Sequence, residues 1–182
     1  EAKAVFDADP AFADRSRARV VALQSGDEAT LAFWHILIDE SMRHFDSVYK
    51  TLGVLLVPDD YCGESFYNPM LQALAEELLG SGMARESKGA VCLFPPGFAG
   101  PDGESVPLIL RKSDGGFGYD ATDLAAIRHR TRELGGTRLV YLTDARQKQH
   151  FAMVFSGARA ASLIPETTVT EHVPFGSILG ED

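Results

Sequence analysis

Hydrophobic positions recur every three or four residues along the first third of the chain and predict helices there. One helix is expected after Pro10, ending near Ser25-Gly26. A longer one follows Asp27, a typical N-cap, and ends before Gly53, a typical left-handed C-terminal cap. We expect its first half to be buried over more than half of its girth. Its apolar positions are Leu31, Phe33, Trp34, Ile36, Leu37, Ile38, Met42, Phe45, Tyr49 and Leu52.

The middle of the chain predicts short strands around one helix. Residues 53–57 have a β-type composition, and residues 61–68 are predicted to be a loop. Asn68-Pro69 is typical of a helix start, and the helix it predicts ends at Gly80 or Gly82. Two strands, residues 83–94 and 105–112, are then expected to form a hairpin across a long loop rich in proline and glycine.

The last third alternates helices and strands in the order that is typical of a parallel α/β layer. Short connections separate these elements. The predicted elements are a helix over 122–134, a strand over 138–142, a helix over 147–162 and a strand over 167–172.

Composition excludes several classes of function. The chain has 182 residues, enough for one domain or one domain with a helical appendage, and a net charge of −9 that argues against a general nucleic-acid coat. No apolar run approaches the ~20 residues that span a bilayer. Cys62 and Cys92 are expected to be free buried thiols, and with five scattered histidines they make no zinc-binding pattern, so we expect no metal site and a reducing, cytoplasmic location.

The segment RKSDGGFGYDATDLAA, residues 111–126, carries the clearest candidate site. Gly115, Gly116 and Gly118 predict a sharp turn or a close approach of the backbone to a ligand. Tyr119 and Asp123 lie four residues apart at the entry to a helix and can face the same point. A phenol and a carboxylate there suit a cation, and a guanidinium suits a carboxylate best. The alternative is that Asp123 is a first-turn acid favoured by the helix dipole and that Tyr119 is a packing residue.

Ligands of open parallel sheets bind outside the carboxyl ends of the strands, which selects two further loops. After strand 138–142, Gln147 could bond an amino acid's polar groups or cap a helix, and His150 could meet a phosphate or hydroxyl or be a buried histidine bonded to backbone. After the last strand, residues 172–176 (HVPFG) could form a flat shelf for a purine, or be an ordinary strand exit. Glu64 is a lone carboxylate before a helix, which a helix-entry acid explains first.

Five strings occur in the order and spacing of one known family. GESFYNPML, GSGMARESKGAVCLF, LRKSDGGFGYDATDLAAIRHR, VYLTDARQKQHF and HVPFGSILGED resemble the arginyl-tRNA synthetases, which are class I aminoacyl-tRNA synthetases, over roughly residues 25–182. The resemblance implies a partial Rossmann-like class I catalytic α/β fold with a helical segment and an inserted β-hairpin. It divides the chain into a helical connective segment (1–52), an α+β insertion (53–112) and the second half of the nucleotide-binding fold (113–182).

The resemblance also implies a reaction and residue roles. The family activates L-arginine with Mg-bound ATP as arginyl-adenylate and transfers the arginyl group to tRNA(Arg). Its arginine-binding positions match Tyr119, Asp123 and Gln147, and its adenosine-binding segment matches His172, Phe175 and Gly176. His150 and Glu64 are further candidate site residues without an assigned role.

The chain departs from the family pattern in two places. It contains no His-x-Gly-His segment, and it stops where the lysine-bearing KMSKS-type loop would follow. We therefore expect an interior fragment of the catalytic region, with no catalytic residue of its own, little or no tRNA binding and no adenylate formation alone. The alternatives are a free-standing non-catalytic paralogue, acting as an arginine-binding or interaction module, and an unrelated nucleotide-binding enzyme such as a methyltransferase. The latter would need an early glycine-rich turn with an acid about 20 residues on, which the sequence lacks.

Overall fold

The computed structural model describes residues 2–176 and divides into two compact units. The first unit contains Glu1–Phe66 and Asp114–Gly116, and the second contains Tyr67–Ser113 and Phe117–Asp182. This division follows packing and not function, so the three functional segments named above stay a prediction.

Three helices, α1 (Ala2–Ala8), α2 (Pro10–Gln24) and α3 (Glu28–Leu52), form most of the first unit. The predicted cap of α3 is confirmed, because the Asp27 carboxylate accepts hydrogen bonds from the Thr30 backbone N–H at 2.9 Å and from its hydroxyl at 2.6 Å. The opposite end is confirmed as well, since Gly53 adopts the left-handed conformation with φ 68°.

The predicted burial of α3 is wrong. Thr30 is the buried residue of this helix, whereas Phe33 is 70% exposed and Leu37 is 59% exposed. The helix α3 packs against α2 within its unit. The sequence of α2 is rich in Ala, Arg and Asp, so this neighbour has few large apolar side chains with which to cover the stripe.

The strand predicted for residues 53–57 is also wrong. Residues 54–57 pair with no strand, and Leu55 is 93% exposed. The segment instead leads into a 3₁₀-helix, Pro58–Asp60, where the Asp60 carboxylate accepts a hydrogen bond from the Val57 backbone N–H at 2.9 Å. A β-type composition needs a neighbouring ladder to form a strand, and none of the described strands lies beside it. The expected loop at 61–68 contains a second 3₁₀-helix, Glu64–Tyr67.

The second unit opens with α4 (Asn68–Gly80), which confirms the predicted helix and its end at Gly80. An antiparallel sheet follows in the order β1 (Ala84–Ser87), β2 (Ala90–Leu93) and β3 (Leu108–Arg111). The predicted single strand over 83–94 is wrong, because the chain turns back at Lys88 and Gly89, which have φ values of 50° and 78°. Two positive φ values match the tight two-residue turn of a hairpin. The predicted pairing across the long loop is confirmed by the β2–β3 ladder.

The end of the chain confirms the predicted parallel layer and the α/β class. The elements are α5 (Tyr119–Arg132), β4 (Arg138–Asp144), a 3₁₀-helix (Ala145–Gln147), α6 (Lys148–Ala160) and β5 (Val169–Phe175). The strands β4 and β5 pair in parallel from Arg138↔Val169 to Asp144↔Phe175. Most boundaries differ from the prediction by one to three residues. The largest differences are that α5 begins three residues earlier than 122 and that β5 extends three residues beyond 172.

One hydrophobic core lies in the second unit, between α4, α5 and α6 and the two sheets. Its centre includes Leu74 of α4, Leu124 of α5, Val154 of α6 and Leu110 of β3, all at most 1% exposed. Across residues 2–176 no helix combines the length and the apolar character that a membrane crossing requires. Both cysteines are free, but the predicted burial holds for Cys92 alone, because Cys62 is exposed.

Candidate functional site

Tyr119 and Asp123 lie at the start of α5, directly after the loop that contains Gly115, Gly116 and Gly118. Gly115 has φ 87°, a conformation that strongly favours glycine, whereas Gly118 has an extended backbone that any residue adopts. Tyr119 is the first residue of α5 and is 69% exposed, so it is not a packing residue. Asp123 follows one helical turn later on the same face.

Asp123 is held by a histidine from another helix. Its Oδ2 atom lies 2.6 Å from Nε2 of His150, which stands in the first turn of α6. Both side chains are about three-quarters buried, with exposures of 25% for Asp123 and 28% for His150. The first-turn acid of α5 is Asp120 and not Asp123, so the helix-dipole explanation applies to Asp120.

Asp120 is a member of the site that the sequence did not indicate. Its Oδ1 atom lies 3.5 Å from Nδ1 of His150, and its Oδ2 atom accepts a hydrogen bond from the backbone N–H of Ile109 on β3 at 2.6 Å. In the sequence, only its position three residues before Asp123 marks Asp120 as a candidate. The predicted helix starts at residue 122 and so places Asp120 in a loop.

Two members of this cluster, His150 and Asp120, have shifted pKa values. The pKa of His150 is raised above its ordinary value, chiefly by the hydrogen bond to Asp123 and further by the charges of Asp123 and Asp120, against the opposing effect of burial. The pKa of Asp120 is raised by burial, although the Ile109 N–H and the His150 charge favour its ionised form. The histidine contacts two carboxylates and not the backbone, and its raised pKa favours the imidazolium form.

Tyr141 and Arg130 lie deeper in the same unit. The Arg130 guanidinium sits over the Tyr141 ring, 5.2 Å from its centroid, and Phe151 packs on that ring at 4.9 Å. The Tyr141 hydroxyl is buried and, within the part of the chain that the structure describes, has no hydrogen-bond partner of good geometry. Burial raises the pKa of Tyr141 and Asp123 adds to that increase, so this phenol is neutral at physiological pH.

Gln147 stands where α6 begins. It is exposed, at the end of the 3₁₀-helix Ala145–Gln147, and its side chain makes no capping hydrogen bond. The capping explanation is therefore not supported. His150 lies three residues further on and belongs to the Asp120–Asp123 cluster.

The segment predicted to bind a purine is part of β5 and does not form a loop after it. His172 is half-buried, with Nε2 2.8 Å from the Thr143 hydroxyl and its ring 5.3 Å from that of Phe151. Phe175 is the last residue of the strand and 51% exposed, and Gly176 follows it. Since alternate strand residues point to opposite faces, His172 and Phe175 do not share one face of the sheet.

Glu64 lies in the first unit, as the first residue of its 3₁₀-helix, and is exposed. All the other candidate site residues belong to the second unit. Among residues 2–176 no group of three or more histidine, cysteine or acidic side chains is arranged to hold a metal ion.

Comparison with known proteins first identifies the class. The family model for the catalytic domain of class I tRNA synthetases of type R matches residues 1–182, and the chain belongs to this family. The α/β fold agrees with that class.

Individual relatives narrow the similarity to one kind of synthetase. The arginine–tRNA ligases of Frankia casuarinae and Cutibacterium acnes are 51% and 49% identical to the chain, and each alignment covers all of it. The crystal structure of arginyl-tRNA synthetase from Plasmodium falciparum matches 92% of the chain with a TM-score of 0.76 and 32% identity. The chain spans about a third of the length of these curated relatives, 31% and 32%, and 28% of the Plasmodium chain. The family resemblance inferred from the sequence is confirmed.

Proposed function

We propose that this chain supplies part of the arginine and adenosine sites of an enzyme that joins L-arginine to tRNA(Arg). Tyr119, Asp123 and Gln147 bind arginine in this proposal, and His172, Phe175 and Gly176 lie beside the adenosine of ATP. The observation that carries the proposal is the exposed Tyr119 ring on the same helical face as Asp123, whose carboxylate is fixed by His150. Family membership supports the same assignment.

The chemistry of Asp123 favours a cationic ligand. His150 holds Oδ2 of the carboxylate, and in this proposal the carboxylate accepts a charge-assisted hydrogen bond from the guanidinium of arginine. A charge-assisted hydrogen bond of this kind contributes about 1.5–3 kcal/mol. The exposed Tyr119 ring adds a flat surface on which a guanidinium can stack.

The proposed reaction has two steps. The arginine carboxylate attacks the α-phosphate of Mg-bound ATP and forms arginyl-adenylate with release of pyrophosphate. A ribose hydroxyl of tRNA(Arg) then attacks the carbonyl carbon of the adenylate, which forms the ester bond and releases AMP. Residues 1–182 supply binding and orientation in both steps, with no general acid or base assigned among them. Their net charge of −9 fits weak tRNA binding by this part, and we propose a cytoplasmic location.

Calorimetry with arginine, lysine and citrulline tests the arginine site. Citrulline keeps the shape of arginine and loses its charge, so we expect preference for arginine. Asp123→Asn should weaken arginine binding about 10- to 100-fold, the equivalent of one charge-assisted hydrogen bond. Asp102→Asn, the same change in the loop before β3, is the control and should leave the affinity unchanged. Equal affinity for arginine and citrulline would contradict the proposal.

Residues 1–182 by themselves should not catalyse arginine-dependent pyrophosphate–ATP exchange. They contain no His-x-Gly-His segment, which in the family holds the ATP phosphates. The groups that would stabilise the negative charge of the transition state are therefore missing from this part. The protein expressed from its complete gene should show the exchange. Arginine binding without exchange by that complete protein would favour the non-catalytic arginine-binding module instead.

A further inference from the structure

His150 stands between two acids in a way that arginine binding must disturb. Asp120 and Asp123 lie on the first two turns of α5, and His150 approaches them from the first turn of α6. The contact to Asp123 is short, at 2.6 Å, and the contact to Asp120 is longer, at 3.5 Å. Asp120 also accepts a hydrogen bond from the Ile109 N–H, whereas the Asp123 carboxylate contacts the His150 ring.

The charges of this cluster make the proton on His150 and a bound guanidinium compete. With His150 protonated, the three side chains carry one net negative charge, and with His150 neutral they carry two. A guanidinium at Asp123 places a second cation beside the imidazolium, at a half-buried position where like charges repel strongly. Arginine and the His150 proton therefore oppose each other.

We propose that His150 is a positioning residue, which holds Asp123 ready for the arginine guanidinium and gives up a proton when arginine binds. This inference rests on the proposed arginine site. The proton leaves Nδ1, whose partner Asp120 is 3.5 Å away, and passes to water or buffer. The Nε2–H group keeps its hydrogen bond to Asp123, so the carboxylate stays oriented.

The other ionisable groups around His150 do not supply this proton. Tyr141 on β4 and Cys92 on β2 both have pKa values that burial raises, so both are neutral before and after binding. His172 on β5 packs on Phe151 and bonds to Thr143. Arg130, beyond Tyr141, stays charged throughout.

The test is calorimetry of arginine binding to the protein expressed from its complete gene, in buffers of different ionisation enthalpy between pH 6 and 8.5. Release of up to one proton per arginine should appear, with a dissociation constant that falls by at most about tenfold per pH unit as pH rises. His150→Gln should bind arginine with neither the proton release nor the pH dependence, because its amide can still donate to Asp123. His172→Gln should keep the proton release.

Each other outcome would contradict a specific part of the two proposals. Arginine binding without proton release in the unsubstituted protein, or proton release that survives His150→Gln, overturns the role of His150 and leaves the arginine site standing. No arginine binding at any pH overturns the proposed function and this inference together. If His150→Gln fails to fold, His150→Asn and the buffer comparison on the unsubstituted protein decide the question.

Discussion

At the scale of single residues, the candidate site centres on a largely buried histidine shared by two acids. A carboxylate accepting from imidazolium at 2.6 Å makes the charged histidine part of the folded structure and not a surface feature. The same contact orients Asp123 through a histidine ring, which has fewer rotatable bonds than a lysine or arginine side chain. We therefore expect stability to depend on the protonation of His150.

This dependence predicts a fall in stability with rising pH. The folded pKa of His150 is raised above its ordinary value of about 6.5, so its contribution is complete below that value and is lost as pH rises through the folded pKa. We expect the free energy of unfolding, measured by urea titration, to decrease over this range. His150→Gln should remove this part of the pH dependence, and an unchanged pH profile in that variant would contradict the expectation.

At the scale of elements, α6 reaches the antiparallel sheet through a glycine. A Cβ atom built on Gly157 would lie 2.9 Å from Cδ1 of Leu108 on β3 and 3.1 Å from Cδ2 of Leu93 on β2. The helix that carries His150 can thus lie close to the sheet that holds Asp120 through Ile109. The distance between these two elements helps to fix the distance between the histidine and the acid.

Gly157→Ala should therefore destabilise the protein by about 1–3 kcal/mol, as overpacking of a core does. Gly80→Ala is the matched control, because a Cβ atom on Gly80, at the end of α4, meets nothing within 4 Å. The control should leave stability unchanged or raise it by up to about 1 kcal/mol. Thermal unfolding followed by circular dichroism compares the two, and equal melting temperatures would show that the two leucines make room.

At the scale of the whole molecule, the two units bury their apolar residues very unequally. The second unit contains the continuous core, whereas the buried residues of α1, α2 and α3 are Ala13 and Thr30. The apolar stripe of α3 is therefore not part of a core in the described structure. Its side chains contribute far less to stability than their sequence pattern suggests.

The same substitution at two leucines tests this inequality. Leu37→Ala, in a side chain that is 59% exposed on α3, should change the free energy of unfolding by no more than about 0.5 kcal/mol. Leu74→Ala, in a side chain that is 1% exposed on α4, should cost about 2–5 kcal/mol. Chemical unfolding monitored by circular dichroism gives both values, and a comparable loss at Leu37 would show that the stripe is buried in solution.

Local signals in the sequence were sufficient for most helices and for the parallel pair of strands. The cap at Asp27, the left-handed Gly53 and the end of α4 at Gly80 follow from contacts within a few residues, so the sequence predicts them correctly. The placement of Tyr119 and Asp123 on one helical face follows from the helical repeat for the same reason. The roles of Tyr119, Asp123 and Gln147 in binding arginine stay predictions.

Features that depend on residues far apart in the chain could not be predicted from local sequence patterns. Within residues 2–176, the strand expected at residues 53–57 finds no neighbouring strand, and large side chains on the stripe of α3, such as Phe33 and Leu37, stay exposed. The hairpin at Lys88-Gly89 escaped prediction because lysine is an unusual residue at a positive φ. His150 meets Asp123 across 27 positions in the chain, and no local pattern encodes that meeting.

The sequence by itself determined the family, the α/β class and the helices that carry the candidate site, because capping, periodicity and motif order are written in neighbouring residues. Only the tertiary structure decided which apolar faces are buried, where Asp120 stands and that His150 holds Asp123. Burial and ion pairing depend on which segments meet in space, and that is settled by packing of the whole unit.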